Sequence, residues 1–106
     1  MAVVILPDAQ ADLLGLQDNM RDKWGEASWL KAEDEIFDKL AQVGAGLFNG
    51  SPVQELASVG ILDYLNVYTS HHKLVYRKAG DDTYVYLVAG HRQDFPTLLM
   101  KRLFKV

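Results

Sequence analysis

The sequence contains no cysteine among its 106 residues. This absence excludes disulfide bonds, thiolate metal sites and cysteine nucleophiles, and it is compatible with a reducing cytosol. No apolar run approaches the roughly 18 residues that a membrane span requires, so we expect no association with a membrane. The three histidines have no further ligands at suitable spacing, and we therefore expect no metal site.

Several enzyme motifs are missing as well. The sequence has no glycine-rich phosphate loop, no Ser-His-Asp pattern and no His-Glu-x-x-His string. We therefore expect no cofactor. Apart from the nuclease alternative given below, nothing in the sequence indicates an enzyme.

The composition is typical of one soluble globular domain, with 49% hydrophobic and 24% charged residues. The net charge of −3 is unevenly distributed along the chain. Residues 1–40 contain nine acidic and four basic side chains, whereas residues 71–106 contain seven basic and three acidic ones and all three histidines. This asymmetry indicates a surface that faces a polyanion or an acidic partner.

The first half of the sequence has the pattern of a strand followed by two amphipathic helices. The run from Ala2 to Leu6 is apolar and β-branched, and Pro7 ends it. Helical spacing of apolar residues then predicts two helices separated by Gly25. Their apolar stripes are Leu13, Leu16, Met20 and Trp24 in the first helix, and Trp29, Ala32, Ile36, Leu40 and Val43 in the second. So short a connection predicts an antiparallel helical hairpin, with both tryptophans closing its core.

The second half predicts three strands and a last helix. A connection rich in glycine runs from Gly44 to Gly60, with one turn of helix inside it. Strands are predicted at residues 63–70, 73–79 and 83–89, the second and third being joined by a turn. In the third strand we expect Val85 and Leu87 to share one face. Asp94 then caps a C-terminal helix that starts at Phe95.

The predicted element order is therefore β-α-α-β-β-β-α. Helices grouped before strands are typical of an α+β fold. We expect the helical hairpin to pack on one face of a mostly antiparallel, twisted sheet, followed by the C-terminal helix. No repeat or linker interrupts residues 1–106, which predicts a single domain.

Four strings, in this order, resemble the RelE/ParE superfamily of toxins. They are VVILPDAQADLLGL at residues 3–16, SPVQELASVG at 51–60, HKLVYR at 72–77 and VAGHRQD at 88–94. None of these strings is specific alone, but the set spans nearly the whole chain. The resemblance implies the RelE/ParE-like fold and the toxin half of a type II toxin–antitoxin pair.

The resemblance leaves two activities open, because ParE-like members block DNA gyrase whereas RelE-like members cut mRNA on the ribosome. A nuclease needs a proton acceptor, a proton donor and cations that stabilise the charged phosphorane. The candidates for those roles are Lys73, Arg77, His91 and Arg92. Lys73 stands where the RelE-like nucleases have an arginine, and the chain continues after HRQD into a full helix. Both departures favour a ParE-like gyrase inhibitor that is not an enzyme.

The resemblance also indicates which residues meet the partners. We predict that the target contacts the strand exit and the last helix, through His91, Arg92, Gln93, Asp94, Lys101 and Arg102. A cognate antitoxin is implied, with a disordered tail that folds onto the toxin. We predict its interface on the apolar rims of the hairpin and of the last helix, at Leu13, Leu16, Met20, Ile36, Leu98 and Leu99.

A third interpretation is a toxin fold that has lost toxicity and only binds its antitoxin. All three interpretations predict a cytoplasmic protein that forms oligomers with its antitoxin. Whether the free chain is a homodimer is left open by the sequence.

Overall fold

The computed structural model describes residues 2–104 of the chain. Its helices are α1 (Pro7–Trp24), α2 (Glu26–Gly44), α3 (Gln54–Ala57) and α4 (Phe95–Leu103). Its strands are β1 (Val3–Ile5), β2 (Ser51–Pro52), β3 (Tyr64–Tyr68), β4 (His72–Ala79) and β5 (Asp82–Gly90). The predicted α+β class and the order of the major elements are confirmed.

The five strands form one sheet in the order β1-β5-β4-β3-β2. β1 is parallel to β5, and the other neighbours are antiparallel. The short strand β2 was not predicted, because it lies within the glycine-rich connection and contains Pro52. Its position at the sheet edge explains why proline is tolerated there, since an edge strand need not use every backbone N–H in pairing.

α1 and α2 form the predicted helical hairpin. Gly25 separates them and has a φ of 91°, a backbone conformation that glycine adopts without strain. Pro7 occupies the first turn of α1, where its missing N–H is not needed. The two helices contain 18 and 19 residues, so each is about as long as the nine-residue strand β5.

Apolar residues fill both faces of the sheet. On one face, Ala9 and the stripe of α2 pack against Val67, Leu74, Val85 and Val88. On the opposite face, α3 and α4 contribute Leu56, Phe95 and Leu99, which pack against Val75 and Leu87. The predicted position of the hairpin on one face is confirmed. The sequence did not predict that α3 and α4 cover the second face.

A β-bulge changes the alternation of β5. The register pairs Val75 with Leu87 but Tyr76 with Val85, which leaves Tyr86 as the extra residue. Val85 therefore enters the core under the hairpin, whereas Leu87 enters the core under α4. The prediction that Val85 and Leu87 share a face is wrong, because it assumed an uninterrupted period of two.

The two tryptophans have different environments. Trp29 is 2% exposed and meets the ring of His72 edge-on, whereas Trp24, the last residue of α1, is 64% exposed. The prediction that both close the hairpin core is therefore correct for Trp29 and wrong for Trp24. No helix within residues 2–104 combines the length and the apolarity needed to cross a membrane.

Candidate functional site

A cleft of about 450 Å³ opens between the second half of α1 and the end of the sheet. We call it the histidine cleft, because all three histidines of the chain line it. Its cationic and titratable lining residues are Lys23, His71, His72, His91 and Arg92. Its apolar lining residues are Leu16, Met20 and Trp24, and polar side chains complete it: Asn19, Ser28, Ser70 and Gln93. No acidic residue lies among the described residues that line the cleft.

The β5–α4 loop, residues 91–94, forms one wall of the cleft and is held by hydrogen bonds. The backbone N–H of Gly90 donates to Oε1 of Gln93 over 2.8 Å, and the backbone N–H of His91 donates to the carbonyl of His71 over 3.2 Å. The Nε2 atom of His91 lies 3.0 Å from the carbonyl oxygen of Thr69. Because a carbonyl only accepts, this contact places the proton of the neutral ring on Nε2.

The β3–β4 turn, residues 69–71, lies beside this loop in the same wall and is anchored to α2. The Glu35 carboxylate accepts hydrogen bonds from the backbone N–H and the hydroxyl of Ser70, at 3.0 and 2.9 Å. These two bonds lower the pKa of Glu35 below its ordinary value of 4.5. The turn is therefore fixed relative to the helical hairpin.

His72 is the most deeply buried titratable group of the cleft. It is 3% exposed, and its Nδ1 atom has no hydrogen-bond partner within residues 2–104. Burial, followed by the proximity of His71 and His91, lowers the pKa of His72 from 6.5 to about 4. His72 is therefore neutral at physiological pH.

The predicted target-binding residues fall into two groups. His91 and Arg92 are exposed at the cleft, and Lys101 is exposed on α4. Within the described part of the chain, no hydrogen bond or ion pair engages the side chain of Arg92 or Lys101. Gln93 and Asp94 have internal roles: Gln93 closes the loop, and Asp94 caps α4 by accepting from the backbone N–H of Thr97 at 3.3 Å. The cap was predicted and is confirmed.

Arg102 does not offer a free cation to a target. Its guanidinium donates to both carboxylate oxygens of Asp12, at 2.9 and 2.8 Å, and to the carbonyl oxygen of Tyr86 at 2.6 Å. The bonds to Asp12 raise the pKa of Arg102 above its ordinary value. The Asp12 carboxylate also accepts from the backbone N–H of Val88 at 3.0 Å. Asp12 and Arg102 thus supply hydrogen bonds to the backbone of β5 at the part of its edge that β1 does not cover. The prediction that Arg102 binds the target is corrected, because its guanidinium is engaged within the protein.

The four candidate nuclease residues do not all converge: Lys73 and His91 both contact the Tyr68 ring, at 5.3 and 6.0 Å from its centroid, whereas Arg77 lies farther along β4. The Lys73 ammonium lies 3.6 Å from the centroid of the Phe95 ring, and the Arg77 guanidinium lies over the rings of Tyr64 and Tyr86 at 5.7 and 5.9 Å. Four residues of strand separate Lys73 from Arg77, a distance of about 13 Å. His91 and Arg92 lie on the β5–α4 loop.

The predicted antitoxin-binding residues divide by burial. Leu13, Leu16, Met20 and Leu98 are half-buried and partly available to a partner. Ile36 and Leu99 are 0% and 1% exposed and belong to the two cores. These two residues are removed from the predicted interface, because a partner cannot contact them in this conformation.

Within residues 2–104 there is no group of three or more histidine, aspartate or glutamate side chains arranged to hold a metal ion.

Comparison with solved structures defines the class of protein. The chain is similar in fold to a chain of the structure described as the chromosomal ParDE TA system from P. aeruginosa, with a TM-score of 0.68 and 17% sequence identity. The match covers 85% of this chain and 95% of the other chain. No curated protein sequence matches this chain significantly. The two chains thus share one fold, a helical hairpin on a mostly antiparallel sheet.

The family model described as the ParE toxin of the type II toxin-antitoxin system, parDE, matches residues 3–95. The chain belongs to this family of toxins. The match ends at Phe95, where α4 begins, so most of α4 lies outside it.

Proposed function

We propose that this ParE-family toxin blocks DNA gyrase in the cytoplasm by binding to it, and that a cognate antitoxin keeps it inactive. The observation that carries the proposal is the β5–α4 loop, which presents the exposed side chains of His91 and Arg92 on a backbone fixed by hydrogen bonds. A fixed loop with a free cation is suited to recognition, because little conformational entropy is lost on binding.

The nuclease alternative has less support. Lys73 and Arg77 face aromatic rings on the side of the sheet that α4 covers, and they are distant from each other. Cations arranged in this way cannot surround one phosphorane, which is what electrostatic catalysis of RNA cleavage requires. Packing on Phe95 accounts for the position of Lys73, whereas the buried Nε atom of Arg77 has no hydrogen-bond partner within residues 2–104.

A supercoiling assay tests the proposal. Purified toxin should inhibit ATP-dependent supercoiling by gyrase at micromolar concentration. The double variant His91→Ala, Arg92→Ala should weaken inhibition about tenfold or more, since the charged contact of Arg92 alone contributes about 1.5–3 kcal/mol. Lys78→Ala, an exposed cation outside the described cleft lining, is the matched control and should inhibit like the wild type. Unimpaired supercoiling with wild-type toxin would reject gyrase as the target.

We further propose that the antitoxin contacts the partly exposed apolar residues of α1 and α4, namely Leu13, Leu16, Met20 and Leu98, and that the complex contains more than one copy of the toxin. The test is co-purification with the product of the neighbouring reading frame, followed by light scattering. Met20→Glu should abolish co-purification, whereas Leu62→Glu, at an exposed leucine outside α1 and α4, should not. Equal recovery of both variants would reject this interface.

A further inference from the structure

The histidine cleft combines features that indicate one class of occupant. Its walls carry two permanent cations, Lys23 and Arg92, and its floor carries the apolar side chains of Leu16, Met20 and Trp24. Its volume of about 450 Å³ falls in the range of sites that hold one or two side chains or a small ligand, which is about 300–1,000 Å³. The cleft is therefore suited to a small group that is both apolar and anionic.

Two groups in the cleft lack partners in the described structure. Arg92 is exposed, and neither a hydrogen bond nor an ion pair engages its side chain within residues 2–104. The Nδ1 atom of His72 is buried and unsatisfied, and His72 itself is more than nine-tenths buried. Because this Nδ1 atom has almost no accessible surface, an occupant of the cleft would not reach it, and Arg92 is the group that is open to a partner.

Trp24 gives the cleft an apolar anchor point. It is 64% exposed at the end of α1, and it is one of the lining residues. Exposed tryptophans that border a pocket are frequent hot spots of protein–protein interfaces, because they bury a large apolar area with few rotatable bonds.

The charge distribution distinguishes a protein segment from a nucleic acid. The chain has a net charge of −3, and residues 1–40 carry nine acidic side chains. Asp18 and Asp22 are exposed on α1, next in sequence to the lining residues Asn19 and Lys23. A long polyanion lying over the cleft would be repelled by these carboxylates, whereas a single carboxylate beside Lys23 and Arg92 would be attracted by both cations. Glu35, whose carboxylate is bonded to the lining residue Ser70, is already engaged by the backbone N–H and the hydroxyl of that residue.

We infer that the histidine cleft receives an acidic segment of the toxin's protein target, with an apolar side chain on Trp24 and a neighbouring carboxylate on Arg92 and Lys23. This inference rests on the proposed function, because it assigns the β5–α4 loop to target binding. It adds the chemistry of the partner, which the proposed function leaves unspecified.

The first test uses 3-phenylpropionate as the probe, because it joins an aromatic ring to a carboxylate. In a titration followed by amide and indole NMR shifts, it should shift Gly90, His91, Arg92 and Trp24 with saturation in the millimolar range. The neutral isostere 3-phenylpropionamide should bind about tenfold more weakly, which corresponds to about 1.4 kcal/mol. Inorganic phosphate and single-stranded oligothymidylate are titrated in the same way, as alternative anionic ligands for the cleft.

The test variant is the double substitution Lys23→Gln, Arg92→Gln, and Lys78→Gln is its control. The double variant should lose about tenfold in affinity for 3-phenylpropionate and about tenfold in gyrase inhibition, with thermal midpoint unchanged, whereas the control should lose neither. Equal binding of the acid and the amide would overturn the inference. Larger shifts of the same residues with oligothymidylate would overturn it in favour of a nucleic acid.

The experiments distinguish a failure of the inferred cleft occupant from a failure of the proposed gyrase inhibition. If wild-type toxin inhibits gyrase and the double variant inhibits it equally, the cleft is not the target site and the proposed function stands. If wild-type toxin does not inhibit gyrase, the proposed function and the assignment of the occupant to that target both fall.

Discussion

Asp12 and Arg102 are 90 residues apart, and each of their side chains is 18% exposed. Together they satisfy a backbone N–H and a backbone carbonyl of β5 that no strand pairs with. Removal of one partner leaves a charge half-buried and a backbone group without its hydrogen bond. Such a loss is more destabilising than the loss of an ion pair on the surface, where water replaces the missing partner.

Asp12→Ala should therefore lower the free energy of unfolding by about 2–4 kcal/mol, as measured by urea denaturation. The exposed pair of Arg21 and Glu26 offers an internal control, and Arg21→Ala should lower it by less than about 1 kcal/mol. Equal losses in the two variants would show that the Asp12–Arg102 contact does not stabilise the fold.

His72 should make stability depend on pH in a defined window. Its pKa is lowered to about 4 in the folded protein, so between pH 6.5 and pH 4 the unfolded chain binds a proton that the folded chain does not. Stability should fall by about 2 kcal/mol from pH 7 to pH 5 through this residue. The lowered pKa of Glu35 acts in the same direction but in a lower window: its contribution is present above pH 4.5 and is lost only below that pH.

The measurement is urea denaturation of wild type and His72→Phe at pH 7 and pH 5. Phenylalanine keeps an aromatic ring beside Trp29 but cannot take up a proton. The variant should lose less stability than the wild type over this interval. Identical losses would mean that His72 does not titrate below its ordinary pKa.

At the scale of elements, the sequence predicts the features that depend on neighbouring residues alone, such as the buried face of a helix and its cap. The stripe of α2, from Trp29 to Val43, is buried as its spacing predicted, and Asp94 caps α4 as expected from its position before Phe95 and Pro96. β2 could not be predicted, because a two-residue edge strand containing Pro52 has no periodicity. The bulge at Tyr86 likewise arises from pairing between strands and not from the sequence of β5 alone.

The candidate site was predicted less completely than the fold. His91 and Arg92 were expected at an exposed strand exit and are exposed there. The engagement of Arg102 by Asp12 depends on how α4 meets α1, and no local signal links residues so distant in sequence. The histidine cleft is missed for the same reason, since it is formed by α1, the β3–β4 turn and the β5–α4 loop together.

Two glycines should respond oppositely to alanine. A Cβ atom at Gly50 would come within 2.9 Å of the carbonyl carbon of Asn66, in the backbone of β3, and Gly50 donates a hydrogen bond to the Tyr76 hydroxyl. Gly50→Ala should destabilise the protein by about 2–3 kcal/mol, because β2 must move away from β3. At Gly15, in the middle of α1, a Cβ atom would meet open space, and Gly15→Ala should stabilise by about 1 kcal/mol. Thermal denaturation of both variants tests this, and two changes of the same sign would contradict it.

At the scale of the whole molecule, the two cores share β4 and β5. Val75 and Leu87 belong to one core while Leu74 and Val85 belong to the other, so neither core can open without distorting strands that hold the second. We therefore expect both cores to unfold in one cooperative transition.

Leu99→Ala, in the core under α4, should lower the unfolding free energy by about 2–5 kcal/mol. In a Trp24→Phe background the fluorescence reports on Trp29, which lies on the opposite side of the sheet. The Trp29 transition should shift to lower urea together with the far-UV circular dichroism. A Trp29 transition that stays in place while circular dichroism changes would mean that the cores unfold independently.

The parallel pairing of β1 with β5 governs when the molecule can be assembled during its synthesis. Ala2 donates to the side chain of Asp82, 80 residues later, and Val3 to Ile5 pair with residues 83–85. The ribosome therefore makes β1 long before it makes β5, the partner of that strand. The complete sheet, and with it the loop that follows β5, forms only after β5 has been synthesised, so the conformation of the candidate site cannot precede that point.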